Sequence, residues 1–151
     1  MKKTIAVVLL TFAAACGANS ITGPSGSMTG TWAGNASDSS MSLGAGSMMG
    51  QVGMGTMTWP LTQSGSTVTG SMNFSGMQGR MPGSFSGTMT GDEMTFTMAM
   101  AAGSMMAAAC SSNASGTAHM NRTTMTMTGT YSGSNSCTGA FSNGQMTMTR
   151  R

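Results

Sequence analysis

Charge is what this chain has least of. Asp, Glu, Lys and Arg make up 6% of its 151 residues, histidine occurs once, and Val, Leu and Ile are few. Each shortage excludes something. A single histidine, His119, and three acids leave little from which to build a catalytic set. Asp92 and Glu93 are neighbours at a strand start and point apart, which makes a poor acid–base pair, and Asp38 stands alone in a loop. We therefore expect no enzyme and no cofactor. Lys2 and Lys3 lie in a segment expected to be removed. Without them the formal charge of +3 falls to +1, from Arg80, Arg122, Arg150 and Arg151 against Asp38, Asp92 and Glu93. That is no electrostatic footprint for nucleic acid. No apolar run reaches the ~20 residues that a membrane-spanning helix needs.

What the chain has instead is methionine, 21 in all, among Gly, Ser and Thr. The stretch Thr124 to Tyr131 shows how it is used: Thr alternates with Met, Gly or Tyr, one residue at a time. A period of two puts the Thr on one face of a β-strand and the larger residues on the other. The pattern returns at Met94 to Met100 and at Gln145 to Arg150.

Tracking that parity gives eight strands: Met28 to Ala36, Met54 to Thr62, Thr67 to Ser75, Met81 to Thr90, Glu93 to Ala101, Ser111 to Met120, Thr123 to Ser132 and Gly144 to Arg151. The connections after the second, fourth and sixth are tight. Those after the first, fifth and seventh are long, the last being a loop over Gly133 to Asn143. In a meander this puts long loops at one rim and tight turns at the other. The expected fold is all-β, a single up-and-down antiparallel barrel of about eight strands. A membrane-spanning barrel is disfavoured because the outward positions are Thr, Ser and Asn rather than an apolar band.

The first residues read as an export signal: Met1-Lys2-Lys3, then an apolar run from Ile5 to Ala15. They end Ala13-Ala14-Ala15-Cys16, which resembles a bacterial lipobox, with Ala13 where that pattern usually carries Leu. The resemblance implies a lipoprotein signal peptide over residues 1–15, acylation of Cys16, a tether over 16–27 and a barrel domain over 28–151. Gly17, rather than Asp, after the cysteine implies sorting to the outer membrane. The membrane partner would be met through the lipid. Lipidation of Cys16 leaves Cys110 and Cys137 as an even pair. They flank a hairpin at one end of the barrel and are expected to form a disulfide.

Gly30-Thr31-Trp32 opens the first strand and Arg150 lies in the last, with Trp32 and Arg150 on inward parity. This resembles the lipocalin/avidin group of barrels (calycins), in which a Gly-x-Trp packs under an Arg from the last strand. An inward Arg needs carbonyl partners or an aromatic face. The resemblance implies a barrel able to hold a small hydrophobic ligand. The inward residues expected to line it are Trp59, Phe74, Phe85, Phe96, Met98, Met127 and Tyr131. Side chains that simply fill the barrel are the competing expectation, leaving the outer surface to serve a structural or interaction role. A third is a copper(I) protein, since thioethers are soft ligands. Its candidate ligands are Met41, Met48, Met49 and Met54, in or beside the long first loop, where strand parity does not demand them.

Overall fold

The computed structural model describes residues 26–38, 53–76, 79–101 and 110–151. The signal segment, Cys16, most of the tether and Met41, Met48 and Met49 lie outside these residues, as does the side chain of Met54. Eight strands, β1 (Gly30–Asp38), β2 (Gly53–Ser64), β3 (Thr67–Gly76), β4 (Gly79–Thr90), β5 (Glu93–Met100), β6 (Ser112–Asn121), β7 (Thr126–Asn135) and β8 (Gly139–Arg150), form one closed barrel in sequence order. Every neighbouring pair is antiparallel, and β8 closes on β1 from Trp32↔Arg150 to Ser37↔Gln145. The expected fold is the one observed.

Alternation decides which side chains go inside. Along β5 each odd-numbered residue is exposed and each even one, Met94, Phe96, Met98 and Met100, is buried. The interior is one continuous cluster of methionines and aromatics, with a few small residues. It packs by setting a large side chain beside a glycine on the next strand. A Cβ on Gly116 would lie 2.8 Å from Phe96, on Gly133 2.9 Å from Phe141, on Gly83 2.9 Å from Met72, and on Gly144 2.5 Å from the Tyr131 ring. Contacts that close are outside what real Cβ atoms show, so these glycines are notches that the larger residues need.

The wall is different. One row across five strands, Thr67–Thr88–Thr95–Thr117–Thr130, carries only threonine. Directly opposed Thr pairs stabilise a sheet by about 0.2–1 kcal/mol each.

Two expectations about connections need correction. The loop expected over Gly133 to Asn143 is almost entirely strand: β7 continues to Asn135 and β8 begins at Gly139. The register between β7 and β8 shifts between Tyr131 and Gly133, and Asn143 there has a left-handed φ of 59°. Such a bulge inserts one residue and reverses the alternation beyond it. Phe141 is buried at odd parity while Met146 and Met148 are buried at even parity, so a period-two reading stops at the bulge. Long connections are therefore confined to those after β1 and β5. At the other end, the turn after β6 is longer than the Asn121-Arg122 expected, and β7 starts at Thr126. The Asn121 side-chain oxygen accepts hydrogen bonds from the backbone N–H of Thr123 and Thr124. That cap holds Arg122 to Met125 as the turn, with Met125 left-handed at φ 51°.

Candidate functional site

All seven residues expected to line a ligand site point into the barrel and are buried, but the register divides them. Trp59, Phe85 and Phe96, from β2, β4 and β5, form one cluster. The ring centroids lie 4.7 Å apart for Trp59–Phe85, 5.5 Å for Phe85–Phe96 and 6.3 Å for Trp59–Phe96. Met98 is the cross-strand partner of Phe85 and belongs with them. Phe74 pairs between Met57 and Met81. Met127 lies on β7 beside Met148 and Met120. Tyr131 packs edge-on against Phe141, with centroids 6.1 Å apart.

The two tryptophans stand opposite each other in register on β1 and β2, yet their indoles differ. Trp32 Nε1–H donates to the Met28 carbonyl at 2.9 Å. Trp59 Nε1 is as deeply buried and has no hydrogen-bond partner among the described residues. An unsatisfied buried donor costs about 1–3 kcal/mol. Among the described residues it is the orphaned polar atom inside the aromatic cluster.

A second group, at the disulfide end of the barrel, is polar. Asp38 was expected alone in a loop. It is instead the last residue of β1, 2% exposed, and accepts a 2.8 Å hydrogen bond from Tyr131 Oη. Gly144 is what lets the Tyr131 ring lie flat enough to reach it. Burial, then the Asp38 charge, then the hydrogen bond to Asp38 hold the Tyr131 phenol far above the usual tyrosine range. Nearby, Asn135 Nδ2 donates to Ser112 Oγ at 2.7 Å, while Asn135 Oδ1 caps the backbone N–H of Cys137 and Thr138. The Cys110–Cys137 disulfide, with Cα atoms 5.5 Å apart, closes this end as expected. The sequence held one sign of Asp38: the even parity of Trp32 and Ala36 continues to it.

At the opposite end, Gly30, Trp32 and Arg150 come together. Trp32 and Arg150 are register partners, and a Cβ on Gly30 would lie 2.8 Å from Arg150 Nε. The carbonyl partner for Arg150 is Ser27, at 3.3 Å from Nη1. Arg122 ties the same end together, donating to Asp92, to the Gly91 carbonyl at 3.0 Å and to the Gly26 carbonyl at 3.4 Å. His119 is outward, with its Nδ1 2.7 Å from a Glu93 carboxylate oxygen in an exposed side-chain contact. Open grooves lie on the outer wall. One of about 510 Å³ crosses β4 to β7 over Ser84, Ser86, Thr97, Asn113, Ser115 and Ser132. Among the described residues no cluster of three or more His, Cys, Asp or Glu is placed to hold a metal.

The geometry thus defines a closed eight-stranded barrel whose interior is apolar except at one end. No protein-family model matches this chain, and no curated protein matches it. Among solved structures it is similar to the crystal structure of Rv2717c from M. tuberculosis, at a TM-score of 0.45 and 9% identity, over 82% of this chain and 92% of that one. A likeness that remote says nothing of function.

Proposed function

We propose that this protein is a non-enzymatic, lipid-anchored barrel of the bacterial outer membrane. On this reading it binds a small, mostly apolar ligand in its interior, in the manner of a lipocalin. The observation that carries the ligand is the unpartnered Trp59 N–H among Phe85 and Phe96. The ligand's flat or aliphatic body would part these rings, and one neutral oxygen or nitrogen acceptor would meet the indole. The neighbouring methionines favour this, because their unbranched thioether chains change rotamer easily and adapt to shape. The anchor rests on Cys16 in Ala13-Ala14-Ala15-Cys16 and on the tether after it.

Native mass spectrometry of the full chain purified from an oxidising envelope tests both parts. Diacyl or triacyl mass on a chain beginning at Cys16 supports the anchor. An organic adduct that Trp59→Phe weakens about tenfold, the worth of one hydrogen bond, supports the ligand. A bare polypeptide that a panel of apolar carbonyl compounds fails to stabilise thermally would remove the ligand reading and leave a filled barrel that works through its wall.

A further inference from the structure

The copper ligands suggested by the sequence lie in or beside the first loop, but the register assembles a different set of thioethers. Met120 on β6 is paired with Met127 on β7, and Met127 with Met148 on β8. All three point inward and are 2%, 1% and 0% exposed. Among the described residues this is the one inward row in which three consecutive strands each place a methionine. Elsewhere a large inward residue commonly faces a glycine or alanine, as Phe96 faces Gly116 and Met146 faces Gly129. Beyond Met148 the row continues to Gly34, so the crowding stops at the third thioether.

We propose that Met120, Met127 and Met148 form a three-thioether site for a soft monovalent cation, Cu(I). Directly opposed Cβ atoms in an antiparallel pair are about 5 Å apart. Two torsions, about Cα–Cβ and Cβ–Cγ, swing each methionine sulfur, and the side chain is unbranched. Three sulfurs on adjacent strands can therefore converge over the middle one, Met127. Thioether sulfur is soft and uncharged, and selects Cu(I) over the harder divalent ions. The dry surroundings add to that choice, since desolvating a divalent ion costs far more than desolvating a monovalent one. The nearest surface is the β6–β7 turn at the same end. Met125, two residues before Met127 in the β6–β7 turn, is half-buried and packs against the core. It would be the first sulfur an incoming ion meets. The site is independent of the Trp59 ligand, which uses residues of β2, β4 and β5.

The test uses the full-length protein labelled with 13C at the methionine methyls, with Ag(I) as a redox-silent probe for Cu(I). Methionine-to-leucine substitutions assign the resonances. One equivalent of Ag(I) is expected to shift the methyls of Met120, Met127 and Met148 together. One Cu(I) per chain should also survive a competing chelator. Met127→Leu and Met148→Leu should each weaken retention at least tenfold, and Met89→Leu, on β4, should not. No retained ion, or shifts confined to Met41, Met48, Met49, Met54, Met105 and Met106, overturns the proposal. The methyl spectrum of the unsubstituted protein decides the matter even if a leucine variant fails to fold.

Discussion

Raising the pH above 10 should destabilise this protein through one side chain. Tyr131 is the only tyrosine, and the only lysines, Lys2 and Lys3, precede the expected cleavage site. After that site, with Cys16 acylated as expected and Cys110 and Cys137 in a disulfide, no other side-chain type present ordinarily ionises between pH 9 and 12. In the unfolded chain Tyr131 ionises near pH 10. In the folded protein its ionisation is pushed well above that, by burial first and then by Asp38. A group whose folded pKa is raised contributes stability that is complete below its unfolded pKa and is lost as pH climbs toward the folded one. Between the two, the native state keeps a proton that the unfolded chain has shed, so stability falls by about 1.4 kcal/mol per pH unit. From pH 10, where the unfolded tyrosine is already half ionised, to pH 12 the loss is about 2.3 kcal/mol.

Two assays check this. Urea unfolding midpoints at half-unit steps from pH 8 to pH 12, read by tryptophan fluorescence, should decline above pH 10 in the native sequence and stay flat in Tyr131→Phe. Absorbance near 295 nm, which reports tyrosinate, should not rise at pH 11 until the protein unfolds. A folded protein that shows tyrosinate with a midpoint near pH 10, or a Tyr131→Phe variant with the same alkaline slope, would refute the burial and Asp38 contact derived above. At pH 7 the same variant loses a hydrogen bond to a carboxylate, worth about 1.5–3 kcal/mol.

Gly144→Ala places a Cβ 2.5 Å from the Tyr131 ring. It should cost about 1–3 kcal/mol in urea unfolding and bring the tyrosinate midpoint down toward pH 10 as the ring leaves Asp38. Replacing both Cys110 and Cys137 by Ser, whose separation is 27 residues, should lower stability by roughly 3.5 kcal/mol on the chain-entropy model. Reductant should have the same effect on the native protein and none on the double variant. Glu93→Gln should change stability by well under 1 kcal/mol, because its partner His119 and Glu93 itself are both largely exposed. A larger loss in thermal unfolding would mean the pair is not the surface contact seen here.

Alternation alone carried the strands of this barrel, because its period assigns a face to every residue without reference to any neighbour. It did well wherever a strand ran unbroken, as in β5, and failed where the backbone departs from period two. At Asn143 the bulge reverses parity, which hid Phe141 and the first half of β8 inside an apparent loop. Asp38 was hidden for another reason: a charged residue beside a long Gly/Ser stretch reads as loop, and the Tyr131 hydroxyl that meets it comes from a strand 93 residues further on. Period two also says nothing about which inward residues meet. Grouping Trp59 with Phe85 and Phe96, or Met127 with Met120 and Met148, depends on cross-strand register, which long-range pairing sets. The Cys110–Cys137 pair was legible because a hairpin fixes both its ends at once.

Register also gives a physical account of the missing Val and Ile. Strands usually take their β-preference from branched residues, and in most sheets some of these point inward. Here, Val68 apart, the branched residue on the described strands is threonine, and it is outside. The row from Thr67 to Thr130 and the Thr128↔Thr147 and Thr126↔Thr149 pairs supply stiff, strand-favouring side chains on the wall. The interior is thereby released from that duty and can be built of unbranched methionine set beside glycine notches. Such an interior has a stable shell around a compliant filling. An apolar molecule or a soft ion that rearranges the methionines need not disturb a single backbone hydrogen bond of the barrel. A core of Val and Ile, held in one rotamer each, would have to move its strands to admit either.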